Sequence, residues 1–129
     1  MVSIFILTLN EEANIEECLD SVAFSDDIVV LDSFSADDTV NLAKSWGARV
    51  VQRRFDNWSA HQNWAMANVN FKHRWVFYLD ADERMTPALQ GDLLAIAENS
   101  KEARRGFFAD GPIISWDVRL RVVILQCPL

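Results

Sequence analysis

Three carboxylates fall within four positions at Asp80-Ala81-Asp82-Glu83, directly after the apolar run Trp75-Val76-Phe77-Tyr78-Leu79. Aromatic and β-branched residues in so short a run read as a buried strand, so the acids would stand at a sheet edge. If extended geometry persists through Asp82, alternate side chains share one side, and Asp80 and Asp82 could face one divalent cation while Ala81 turns away. Carboxylate oxygens suit magnesium or manganese, ions commonly held by one or two carboxylates together with substrate phosphates. The same residues also read as an acidic, solvated turn leading into a helix.

Two further polar clusters follow apolar runs in the same way. Residues 2–9 read as a strand, with Thr8, Asn10 and Glu11 at its end, and residues 28–31 read as a second strand that stops at Asp32-Ser33. Asn10 is a suitable N-cap for a helix through about Val22, with Glu11 and Glu12 in its first turn at the positive end of the dipole. Ile15, Cys18, Leu19 and Val22 would form its buried stripe. Ser35-x-x-Asp38 resembles a capping box before a helix through Val40, Leu42, Ala43 and Trp46, with Gly47 at its C′ position.

Residues 48–52 read as a third strand, and Ser59-x-x-Gln62 as a full capping box opening a helix that carries Trp64, Ala65 and Ala67. After the strand at residues 75–79, Thr86-Pro87 predicts a capped helix with proline in its first position, running to about Asn99. Strand and helix thus alternate four times, which predicts a parallel sheet covered on both faces, a doubly wound α/β layer. In such a sheet all strands end at one edge, so the clusters at residues 8–11, 32–33 and 80–83 should meet in space. Helix N-termini beside them favour phosphate, and acids facing phosphate require a bridging cation. Residues 106–129 differ: Trp116, Val118, Leu120 and Val122 alternate with charged residues, which suits an edge strand.

Composition narrows the partners. The chain has 129 residues, half of them hydrophobic, with five Trp and eight Phe, enough for one packed domain. A net charge of -7 argues against a nucleic-acid surface, and Arg53-Arg54 and Arg104-Arg105 are pairs rather than patches. Cys18 and Cys127 lack metal-type spacing and read as reduced thiols, consistent with the cytoplasm. Neither a signal peptide nor a spanning segment is expected. Only four glycines occur and none follows the first strand, which disfavours a P-loop or dinucleotide fold. His61 and His73 lie outside any nucleophile motif and read as surface or packing residues.

Taken in order, Ser3-Ile4-Phe5-Ile6-Leu7-Thr8-Leu9-Asn10-Glu11-Glu12, Ile28-Val29-Val30-Leu31-Asp32-Ser33 with Asp37-Asp38-Thr39, Gln62-Asn63-Trp64-Ala65, and Leu79-Asp80-Ala81-Asp82-Glu83 resemble the donor-binding half of a family 2 glycosyltransferase of the GT-A fold. The subset most resembled contains bacterial lipopolysaccharide core glycosyltransferases. The resemblance implies a nucleotide-sugar-binding half-domain over residues 1–105 and a divergent or truncated tail over 106–129, with the acceptor half missing. It also implies a nucleotide-sugar donor, most often a uridine diphosphate sugar, a divalent metal (Mg or Mn), and a glycan or lipid-linked acceptor.

By position, Thr8 and Glu11 would border the nucleoside, Asp32 would recognise the base or ribose, Asp80 would lie against the ribose or metal, and Asp82 would ligate the metal. Relatives often carry Lys or Arg where Gln62 stands, which leaves Arg53 or Arg54 as substitutes for a phosphate-facing cation. No catalytic base carries over, because residues 106–129 do not match the segment that supplies it; Asp110 and Asp117 are the acids available there. The resemblance allows peripheral attachment at the inner membrane face, or self-association through the tail. Two other readings stand beside the metal-assisted inverting enzyme: an inactive fragment or nucleotide-sugar-binding module, and a nucleotidyltransferase.

Overall fold

Strand β1 (Ser3–Thr8) is buried along its whole length, because both of its faces are apolar. Ile4 and Ile6 belong to one core cluster while Phe5 and Leu7 belong to another, the period of two that a central strand requires. The computed structural model describes residues 1–99, 107–109 and 122–126. On one side β1 pairs in parallel with β2 (Ile28–Asp32), which pairs in parallel with β3 (Arg49–Gln52); on the other it pairs in parallel with β4 (Trp75–Asp80). Beyond β4 lie two short strands, β5 (Phe107–Ala109) and β6 (Val122–Gln126), in the sheet order β3-β2-β1-β4-β6-β5. The sheet is therefore mostly parallel and doubly wound, as expected. The expected edge strand is corrected: β6 runs antiparallel between β4 and β5, and β5 takes the edge. Residues 110–121, Cys127 and the Arg104-Arg105 pair lie outside the described residues.

Helices α1 (Ile15–Ser21), α2 (Thr39–Ser45) and α4 (Pro87–Asn99) close one face, contributing Ile15, Cys18, Leu19, Ala43, Leu89 and Leu93 to the cluster that holds Ile4, Ile6 and Phe77. Helix α3 (Trp58–Asn68) closes the other through Ala65, over Phe5, Leu7, Leu31 and Val76. Phe5 and Phe77 are fully buried, so truncating either to alanine costs about 3–5 kcal/mol.

Helix ends follow local chemistry, in two places as expected. Thr86 Oγ1 accepts the Leu89 N–H at 3.2 Å in front of Pro87. Gly47, at φ +86°, ends α2: its N–H meets Lys44 O at 3.0 Å and the Ala48 N–H meets Ala43 O at 3.2 Å, the paired bonds of a Schellman cap.

Three starts differ from expectation. Asn10 does not cap α1; it sits at φ +53°, a left-handed conformation that Asn tolerates, and its side chain accepts the Ala36 N–H at 2.8 Å. Helix α1 therefore begins four residues later, and Glu16 and Glu17, not Glu11 and Glu12, occupy its first turn. Ser35 does not cap α2, because its hydroxyl and N–H both go to Asp32. Instead Asp37 accepts the Thr39 N–H at 3.0 Å. Helix α3 is capped by Asn57, whose Oδ1 accepts the Ala60 N–H at 2.9 Å, so Ser59 lies within the helix and the expected capping box does not form.

Candidate functional site at the carboxyl edge of the sheet

From β1 the chain winds outward to β2 and β3, and α3 then returns it across the sheet to β4 on the other side of β1. That reversal is the topological switch point at which an open α/β sheet leaves a ligand crevice, beyond the carboxyl ends of β1 and β4. Thr8, Asp32 and Asp80 each end a strand at this edge, and the register sets Thr8 beside Asp32 and Leu7 beside Asp80.

Asp32 is fully buried and satisfied. Its Oδ1 accepts from the Thr8 hydroxyl at 2.7 Å and the Ser35 hydroxyl at 2.5 Å, and its Oδ2 accepts from the Ser35 N–H at 2.8 Å and Gln52 Nε2 at 3.3 Å. Burial alone would raise this carboxyl, but the bonds from Ser35, Thr8 and Gln52 hold it below its ordinary range. The loops after β1 and β2 are stitched together around it. Ser35 Oγ accepts the Asn10 N–H at 2.9 Å, Thr39 Oγ1 accepts the Glu11 N–H at 2.9 Å, and the Glu12 carboxylate accepts the Asp38 N–H at 2.8 Å. Glu11 stands in this loop with its own carboxylate accepting from Asn14 Nδ2 at 3.1 Å.

The acidic motif forms a turn, which corrects the extended geometry expected through Asp82. The strand ends at Asp80, the Glu83 N–H returns to Asp80 O at 3.0 Å, and the Glu83 carboxylate accepts the Asp80 N–H at 3.0 Å. Ala81, packed in the core, forces the bend by turning inward while Asp82 is left exposed. Asp80 and Asp82 therefore do not share a side by strand alternation. They remain electrostatically coupled: burial first and the Asp82 charge second raise Asp80, and burial followed by both aspartates raises Glu83 to about 7. Among the described residues no three His, Cys, Asp or Glu side chains form a metal cage. Two hard carboxylates nonetheless fit a magnesium or manganese ion that takes its other ligands from water and substrate phosphate.

At the ends of β1 and β2 lies an apolar cavity of about 130 Å³ lined by Leu7, Thr8, Leu9, Ser33, Phe55, Trp58 and His61. It adjoins a more open one of about 500 Å³ that adds Phe34 and Arg54. His61 was expected at the surface or in packing; it is fully buried against the cavity. Arg53 donates to its Nδ1 at 2.8 Å, which leaves the proton on Nε2, 3.4 Å from Ser33 Oγ. Burial and then Arg53 lower its pKa, so the ring is neutral. The i, i+4 spacing of His61 and Ala65 on α3 is the signal that marks it as inward-facing. Arg53 is also engaged with Asp56, at 2.9 and 3.0 Å, whereas Arg54 makes no ion pair among the described residues. The Tyr78 hydroxyl donates to Asp80 Oδ1. Burial and this bond to Asp80 raise the phenol far above its ordinary pKa.

Strand order, switch-point crevice and strand-end acids define an α/β domain of the nucleotide-binding class. Residues 3–108 match the Glycosyl transferase family 2 description, and the chain belongs to that family. It is 34% identical over 104 residues to an uncharacterized glycosyltransferase of Rickettsia typhi, covering 80% of this chain and 35% of that protein. It is 30% identical over 129 residues to the lipopolysaccharide core biosynthesis glycosyltransferase LpsC of Rhizobium meliloti, covering 96% of this chain and 43% of that one. Among solved structures, glucosyl-3-phosphoglycerate synthase from Mycobacterium tuberculosis, in complex with Mn2+, uridine diphosphate and glucosyl-3-phosphoglycerate, superposes with TM-score 0.61 at 28% identity, over 78% of this chain and 40% of that one. The chain thus spans about a third to two fifths of the length of these relatives. Among the described residues no helix is long and apolar enough to cross a membrane.

Proposed function

We propose that this domain binds a uridine diphosphate sugar with a magnesium or manganese ion, and that the whole protein transfers the sugar to a glycan or lipid-linked acceptor of the lipopolysaccharide-core type. The observation that carries the reading is the arrival of Thr8, Asp32 and Asp80 at one sheet edge, at the switch point beside a cavity, in a chain of this family. The acceptor class is supported by the likeness to LpsC, and the donor by the uridine diphosphate held by the mycobacterial relative. The protein works in the cytoplasm, at the inner membrane face when its acceptor is lipid-linked.

In this reading Thr8 and Glu11 border the nucleoside. Asp32 already accepts four hydrogen bonds, so it recognises base or ribose by exchanging the longest of them, from Gln52 at 3.3 Å, for a ligand donor. Asp80 faces the ribose and metal, and Asp82, exposed at the tip of its turn, is the principal metal ligand. A bound divalent ion would stabilise the charge of the departing diphosphate in an inverting displacement. Residues 1–105 form the donor-binding half, and the general base lies outside it.

Calorimetric titration of uridine diphosphate with and without MnCl2 tests the reading. Binding that strengthens with Mn2+, is stronger than that of guanosine diphosphate and loses its metal dependence in Asp82→Ala is expected. A wild-type chain that binds neither nucleotide, or an Asp82→Ala variant with undiminished metal dependence, overturns the assignment. With a nucleotide-sugar donor, release of nucleoside diphosphate marks the transferase, release of pyrophosphate a nucleotidyltransferase, and binding without either a binding module.

A further inference from the structure

We propose that Tyr78 is a positioning residue: its hydroxyl fixes the Asp80 carboxylate so that Oδ2 is presented to the crevice. The inference rests on the reading of Asp80 as a ligand-facing acid and deepens it. Tyr78 and Asp80 are separated by two positions on β4 and so share the face that α3 covers. The Tyr78 ring is seated against Phe5, with centroids 5.9 Å apart. Its hydroxyl donates to Asp80 Oδ1.

The Asp80 backbone is already pinned. Its N–H goes to Glu83 at 3.0 Å, and its carbonyl accepts the Glu83 N–H at 3.0 Å and the Cys18 thiol at 3.7 Å. Only the side-chain torsions remain to be set, and the phenol sets them. No hydrogen bond among the described residues reaches Oδ2, which stays available to a cation or a ribose hydroxyl. Outer partners that hold a ligating carboxylate in this manner are commonly worth ~10–100-fold in metal affinity. Phenylalanine at position 78 keeps the ring packing and removes only the hydroxyl, so the variant retains the fold.

The test is uridine diphosphate affinity, measured by calorimetry with and without MnCl2, for the wild type, Tyr78→Phe, Asp80→Ala and the double variant, with thermal melting as the check on folding. Tyr78→Phe should weaken the Mn2+-dependent affinity by about 10-fold or more and metal-free affinity less, while leaving melting unchanged. The double variant should be no worse than Asp80→Ala, because Tyr78 acts through that carboxylate. Wild-type affinity in Tyr78→Phe, or losses that simply add in the double variant, overturns the proposal. Binding that survives Asp80→Ala, or a wild type that does not bind, overturns instead the reading of Asp80 on which it stands.

Discussion

The Ser3 hydroxyl donates to Asp27 Oδ2 at 2.5 Å, at the end of the β1–β2 pair opposite the Thr8–Asp32 bond of 2.7 Å. Both acids are buried, and both lie below the ordinary carboxylate range because hydrogen bonds outweigh the burial that would raise them. Asp27 gathers Ser3, the Lys72 N–H at 2.7 Å and Arg49 at 2.6 Å. Asp27→Ala and Asp32→Ala should each cost about 2–3 kcal/mol in urea unfolding, since each leaves a buried hydroxyl, Ser3 or Thr8, and further donors nearer the surface without their acceptor. Only Asp32→Ala should also weaken uridine diphosphate binding by the folded protein. Equal loss of affinity in both would mean that Asp32 acts through the fold alone.

The cap of α3 gives a clean comparison of neighbouring residues. Asn57→Ala should lower stability by about 1 kcal/mol, because it leaves the Ala60 N–H without its acceptor. Ser59→Ala should change it little, since alanine is favoured inside a helix. Reversal of that order in denaturant titrations would restore the capping box to Ser59.

His61 should make stability depend on pH below neutrality. Its folded pKa lies below the ordinary 6.5, so the unfolded chain binds the proton more readily. Its contribution is thus fully present above pH 6.5 and is lost as pH falls toward the folded value. The wild type should melt lower at pH 5 than at pH 7, and His61→Gln should shrink that difference. An unchanged difference would assign the dependence to other groups.

Cys18 should be chemically silent in the native protein. Burial above all, followed by the opposing charges of Arg84 and the nearby acids, leaves its pKa pushed up to about 12, and thiolate is the reactive form. In a Cys127→Ser background, Ellman's reagent at pH 8 should react only on unfolding. Rapid reaction of the folded protein would show that α1 opens locally.

The four parallel strands were legible because apolar runs of four to six residues ended in polar residues, and alternation with helices predicted that they run parallel. Gly47 and Thr86-Pro87 were legible because left-handed and first-turn positions admit few residue types. Asn10 and Ser35 misled because their side chains serve partners about 25 residues away, a tertiary use of residues that also cap helices. The turn at Asp80 was hidden for a similar reason. Ala81 fits a strand locally, and only its place in the core and the reciprocal bonds with Glu83 bend the chain there. His61 carried a spacing signal through Ala65, but its bond with Arg53 and its place against the cavity, like the Tyr78–Asp80 bond, are set by side-chain contacts that residue spacing does not reveal.

Phe34 adopts φ +60° while 54% exposed, on the rim of the larger opening. A left-handed backbone costs a bulky residue about 1–2 kcal/mol, and half-exposed rings recover little by burial. The bonds of Ser35 and Ala36 to Asp32 and Asn10, immediately downstream, hold the chain in this shape. At this position thermal robustness and the contour of the doorway pull in opposite directions: a glycine would relax the backbone and, by the same change, leave the entrance wider and smoother.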